Sequence, residues 1–187
     1  MAEVLVICGS LRKNSYNRIV VRTLPELAPA GMTFRDAKPF DTFPFFNADI
    51  QAAGGFPAAV EAFAEDIRAA DGVLFVTPEY NFSIPGPLKN AIDWVSRLPN
   101  QPFRGKPVAI QSASTSPVGG ARMQYHLRQT MVFVEAVVFT KPEIFIAHAQ
   151  TKFDENAGTF NDEVGRGLIK KQLEGFAKFI ERLGPCD

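Results

Sequence analysis

Three short segments carry most of the side chains in this 187-residue sequence that could do chemistry. The first, Gly9 to Arg18, offers Ser10, Arg12, Ser15 and Asn17 after a short apolar run. Gly9 lets the chain turn sharply, and a helix starting beyond it supplies unpaired N–H groups and a positive dipole end, which together favour an anion. The dinucleotide fingerprint G-x-G-x-x-G is absent, because Gly9 stands alone. A Walker loop fails as well, since its second glycine and its lysine fall on Asn14 and Ser15. Cys8 followed six positions later by Asn14 lacks the arginine of a cysteine phosphatase, and Thr77 stands where a receiver domain needs aspartate. What remains is a terminal phosphate monoester held by hydroxyls, amides and backbone. The competing reading is a helix capped by Ser15 or Asn14 with no ligand at all.

The second segment runs Gly72 to Trp94. Gly72-Val73-Leu74-Phe75-Val76 is a continuous apolar run, as expected of a parallel strand covered on both faces, and Thr77-Pro78 breaks it. Glu79, Tyr80, Asn81, Phe82 and Ser83 then fall at the strand's carboxyl end, where open α/β sheets bind ligands. Two rings, an amide and a hydroxyl suit a flat aromatic ligand, although an aromatic after a strand also serves as plain core. The third segment, Ser112 to Gly120, crowds Ser112, Ser114, Thr115 and Ser116 ahead of Gly119-Gly120. Such hydroxyls suit a ligand, or a solvated turn.

The intervening sequence must place these segments side by side. Strands are expected at Val4–Cys8, 32–37, 72–77 and 106–112, with Val137–Phe139 and Glu143–Ile146 sharing the last position around Pro142. Helices are expected after the Gly9 loop, from Pro57, over Leu88–Leu98, over Gly119–Glu135 and over Asp162–Leu183. Met123, Leu127, Met131 and Val134 are the expected inner face of the fourth. Lys38 to Phe56 reads as a long connection. Strand and helix signals alternating five times imply a doubly wound parallel sheet of the flavodoxin-like or Rossmann kind, in one domain spanning residues 1–187.

Composition narrows the function classes. Twenty basic residues balance twenty acidic ones, which argues against a nucleic-acid footprint and for a small-molecule partner. No apolar run approaches the roughly 18 residues of a membrane span, and the amino end lacks a secretory leader, so a cytoplasmic setting is expected. Cys8 and Cys186 form no C-x-x-C and suggest neither a disulfide framework nor a metal site; Cys8 reads as a buried strand-end thiol.

GSLRKNSYNR at Gly9–Arg18 and PEYNFSIPGPLKNAIDW at Pro78–Trp94 resemble the paired signatures of the NAD(P)H-dependent FMN reductase family, in its chromate and quinone reductase branch. The resemblance continues through SASTSPVGGARMQYHLRQ at Ser112–Gln129 and KPE at Lys141–Glu143. It implies a flavodoxin-like five-stranded sheet with helices on both faces and FMN bound at the strands' carboxyl ends. Ser10, Arg12, Ser15, Tyr16 and Asn17 would hold the phosphate. Pro78, Glu79, Tyr80, Asn81, Phe82 and Ser83 would line the flavin ring, and the Ser112–Gly120 loop, with Ser112, Ser114 and Gly119, would close over it. Glu79 is expected to organise its loop rather than move a proton.

The implied activity takes hydride from NADPH or NADH and passes electrons to quinones, chromate, azo compounds or similar oxidants, with the chemistry on FMN and no catalytic side chain. A flavodoxin-type electron carrier is the alternative, disfavoured by the zero net charge, and a phosphate-ligand sensor on the same fold is a third reading. The resemblance also implies a homodimer or homotetramer. Arg122, Tyr125, His126 and Gln129 are expected on an outer helix face suited to an interface. Trp94 and the phenylalanines at 40, 43, 45 and 46 suggest surplus aromatic surface, and Glu143 is a candidate to meet Arg122 or Tyr125 across the contact.

Overall fold

In the computed structural model, residues 1–184 are described, so Cys186 lies outside them. Unperiodic apolar runs need cover on both faces, and the strands have it. All of β3 (Gly72–Val76) and β4 (Pro107–Ala113) is buried, as is Val4 to Cys8 of β1 (Ala2–Cys8). The sheet is parallel in the order β2-β1-β3-β4-β5, with β2 (Met32–Asp36) at one edge and β5 (Val137–Val138) at the other. Pro142, which has no N–H to give a ladder, splits the far position. Val137–Val138 (β5) and Ile144–Ile146 (β6) each pair with β4 in parallel.

Alternation along β1 divides the core. Val4, Val6 and Cys8 face α1 (Tyr16–Leu27) and α6 (Glu163–Leu183), packing with Ile19, Leu24, Leu173 and Phe176. Leu5 and Ile7 face the layer of α3 (Ala58–Ala69), α4 (Gly86–Val95) and α5 (Ala121–Phe133). Met123, Leu127, Met131 and Val134 point inward as their spacing requires.

Register sets the three loops level. Cys8 lies opposite Val76, and Val76 opposite Gln111, so the chain leaves all three central strands at one edge.

Three short features of the described residues lie outside the expected elements, one of them a single 3-10 turn at Ala149–Thr151. Within the connection after β2, α2 (Ala48–Gly54) is capped by Asn47, whose side chain accepts from the Asp49 N–H at 2.9 Å. None of its residues is buried, so it leaves no amphipathic period. A hairpin of β7 (Phe153–Asp154) and β8 (Thr159–Phe160) precedes α6. The fourth expected helix starts two residues late, because Gly119 and Gly120 adopt φ of 60° and 91°.

The aromatic surplus is mostly internal. Trp94 is fully buried and Phe40 and Phe43 nearly so, with Phe46 edge-on to Trp94 at 5.1 Å; Phe45 is the exposed one. Phe40 and Phe43 pack edge-on to Phe63 of α3 and Phe46 to Trp94 of α4, so these rings cement the long connection onto both helices.

Candidate functional site

The first loop is built to leave donors free. Gly9 is obligatory, since a Cβ there would lie 2.0 Å from Thr77 Oγ1; its absence lets the loop abut the end of β3. Ser15 caps α1, its hydroxyl accepting the Arg18 N–H at 3.1 Å. Among the described residues no acceptor meets the N–H groups of Tyr16 and Asn17, the donors a helix start leaves to a ligand or water. Ser10 and Ser15 are nearly buried beside them. Asn17 faces inward: its amide donates to the Ala113 carbonyl at 2.9 Å and accepts from the Ala113 N–H at 3.0 Å. It therefore locks the loop to the end of β4. Cys8 lies behind the loop as a buried thiol, its pKa raised chiefly by burial, which keeps it protonated and unreactive.

Arg12 and Tyr16 converge on a residue no local pattern marked. Arg12 Nη2 meets Glu155 Oε2 at 3.1 Å, and the Tyr16 hydroxyl donates to Glu155 Oε1 at 2.7 Å. That bond, which only the neutral phenol can donate, raises the Tyr16 pKa above its ordinary value near 10. Glu155 sits between β7 and β8. The segment FDENAGTF, two phenylalanines around turn-forming residues, was the available signal for the hairpin.

The second loop is a tight turn under tension. Tyr80 and Ser83 exchange backbone hydrogen bonds at 3.0 and 2.9 Å, and the central residues Asn81 and Phe82 take φ of 49° and 67°. Positive φ at both centres is what a type I′ turn requires; Asn tolerates it, Phe does not. Glu79 holds the turn in place. Its carboxylate, 7% exposed, accepts the Met123 N–H at 3.1 Å at the start of α5 and pairs with Arg122 at 3.4 Å. Arg122 in turn lies 4.0 Å over the Phe82 ring, which is 62% exposed. His126 Nδ1 lies 3.2 Å from Ser83 Oγ. Glu79 thus organises its loop, as its position suggested.

The third loop divides. Ser112 is fully buried, donating to the Gly119 carbonyl at 2.6 Å and accepting from Gln124 Nε2 at 2.8 Å, so its hydroxyl supports the loop from behind. Gly119 is buried and cannot carry a Cβ, which would approach the Ala147 nitrogen to 2.8 Å. Ser114 is only half-buried and bonds Ser116 at 3.2 Å. Within the chain Glu143 pairs with Arg128 at 3.6 Å and Lys141 at 3.3 Å, and Arg122 pairs with Glu79.

A cavity of about 800 Å³ lies on the β2 side of the first loop, away from the Tyr80–Ser83 turn. Most of its rim cations are already satisfied, Arg18 by Asp36 at 2.9 Å and Arg12 by Glu155.

A phosphate-type helix start, a strained aromatic turn and a hydroxyl loop therefore share one sheet edge. The sequence pattern of NADPH-dependent FMN reductases matches residues 2–151. The chain belongs to this family. It is 51% identical to a quinone reductase of Escherichia coli over 181 residues, covering 97% of this chain and 96% of that one. It is 50% identical over the same length to an NAD(P)H-dependent FMN reductase of Pseudomonas aeruginosa, with the same coverage. Among solved structures it resembles the flavoenzyme NAD(P)H:(acceptor) oxidoreductase of Paracoccus denitrificans, at TM-score 0.85 and 33% identity over 98% of this chain and all of that one. As an FMN reductase family member it has the expected flavodoxin-like sheet order. Its donor set also fits the cofactor: free helix N–H groups and hydroxyls for a phosphate, and exposed rings for a flat heterocycle. No helix among the described residues is long and apolar enough to cross a membrane.

Proposed function

We propose that the chain is a single-domain, cytoplasmic oxidoreductase that binds FMN, takes hydride from NADPH or NADH, and reduces quinones, chromate, azo compounds or similar small oxidants. The observation that carries this reading is the helix start of α1, with free N–H groups at Tyr16 and Asn17, set level with the Tyr80–Ser83 turn on the same edge. Bound FMN supplies the hydride chemistry, so the protein has only to position and tune it.

Ser10, Ser15, Arg12 and the first-turn N–H groups would hold the phosphate. Pro78 to Ser83 would line the ring, with Tyr80 and Phe82 as its aromatic side. Among the described residues the N–H groups of Asn81 and Phe82 have no acceptor, so they can face an electron-rich ring edge without reorganising. Ser114 and Gly119 would bound the opposite side. Asn17, Ser112 and Glu79 would act one layer back, fixing the loops.

The assembly is a homodimer or homotetramer in this reading, supported by Tyr125, Val132 and Phe133 standing 55%, 75% and 72% exposed on α5. Large apolar side chains grouped on one helix are what subunit contacts cover.

The visible spectrum of the purified chain and its titration with FMN test the cofactor directly. Flavin absorption and uptake are expected, together with rapid NAD(P)H oxidation when a quinone is added. Absence of uptake would end the reading; uptake without quinone-dependent turnover would favour an electron carrier. Ser15→Asp separates phosphate binding from folding, because aspartate caps a helix as well as serine does. FMN affinity should fall by at least tenfold while the melting temperature holds. Equal FMN occupancy in this variant would show that the phosphate lies elsewhere.

A further inference from the structure

Two groups offered to the phosphate, Arg12 and Tyr16, are held by one carboxylate from far along the chain. Glu155 takes the Arg12 guanidinium on one oxygen and the Tyr16 hydroxyl on the other, at 3.1 and 2.7 Å. The hairpin that carries it is firmly built. Phe153 and Phe160 stack at 4.4 Å and are buried, and Phe153 also packs on the Tyr16 ring at 5.2 Å. Asp154 Oδ1 accepts the N–H groups of Asn156 and Ala157, both at 2.9 Å, and Gly158 completes the turn at φ 68°. Lys152 and Asp162 close its base at 3.1 Å.

A hairpin fixed at its base, its rings and its turn presents Glu155 to the loop as a matter of architecture. A phosphate bound at the start of α1 would compete with that carboxylate for the same guanidinium and would be repelled by it at short range. The pair is well exposed, and exposed pairs hold weakly, so a phosphate can displace it.

We infer that Glu155 is a resident anion that competes with the FMN phosphate for Arg12 and Tyr16, so that the β7–β8 hairpin sets how tightly the cofactor is held. The inference rests on the phosphate assignment proposed above. Its distinctive consequence is selectivity. The carboxylate weakens binding of a phosphorylated flavin and is indifferent to riboflavin, which has no phosphate to repel.

The test is a fluorescence titration of flavin-free wild-type protein, Glu155→Gln and Glu155→Ser with FMN and with riboflavin. Both variants should bind FMN about three- to tenfold tighter, the scale of removing one partly solvated charge, with riboflavin affinity unchanged. FMN affinity that stays the same or weakens in both variants overturns the inference, as does equal tightening for the two flavins, which would mean the hairpin merely opened. Arg12→Gln tests the underlying assignment on its own. If it leaves the ratio of FMN to riboflavin affinity untouched, the phosphate placement fails and the role of Glu155 with it. If that ratio falls while the Glu155 variants do nothing, the phosphate placement stands and the competitor role fails.

Discussion

Phe82 stores strain where a ligand is expected. A left-handed conformation costs a non-glycine residue about 1–2 kcal/mol, and a bulky aromatic has no local hydrogen bond to offset it. The Arg122 guanidinium over its ring returns about 0.5–1 kcal/mol at an exposed site. Phe82→Asn removes both effects, since asparagine accepts positive φ and offers no ring. Stability to urea should therefore change by less than about 1 kcal/mol. FMN affinity should fall several-fold, because the exposed ring is lost. A large loss of stability with flavin binding intact would make the ring a structural brace. The residue scale is also where sequence reading was most uneven. Glu79 was legible as an organiser because one carboxylate beside an aromatic turn has few other tasks. Asn17 and Ser112 carry the same atoms as true ligands. Whether those atoms face outward depends on Ala113 and Gly119, which meet them only in the folded chain.

At the scale of elements, β1 and β3 were readable because each apolar run stops at a breaker, Gly9 or Thr77-Pro78, and burial on both faces erases any alternation. The helix α2 and the β7–β8 hairpin were not, α2 because none of its residues is buried and the hairpin because its strands are two residues each, too short for a period to develop. The long connection from Lys38 to Phe56 carries no period of its own, yet it is stitched to α4. Trp94 Nε1 donates to the Pro44 carbonyl at 2.7 Å, and Asn90 bonds both Pro44 and Phe46, at 3.0 and 2.8 Å. Trp94→Phe removes one of these bonds and leaves a void beside Phe46 and Phe56. It should cost about 1–3 kcal/mol in urea denaturation followed by circular dichroism. Protease cleavage within 40–56 should accelerate, while flavin binding should hold, because Trp94 is remote from the carboxyl edge. Unchanged cleavage would show that the other rings and Asn90 alone secure the connection.

For the whole molecule, α5 joins the candidate site to an exposed apolar patch. Its first turns touch the strained turn, through Arg122 over Phe82 and His126 beside Ser83, while its last turn exposes Val132 and Phe133. A subunit seated on that helix would cover apolar surface at one end and brace the flavin loop at the other. Phe133→Glu probes the first without touching the second, since it lies about two helical turns beyond His126 and a new charge there opposes burial in any contact. Sedimentation should show the assembly falling to monomers, and FMN affinity should weaken with it although every residue of the three loops is intact. An assembly of unchanged mass would move the contact off this face. Monomers that bind FMN as tightly as the parent would mean that each site is complete within one chain.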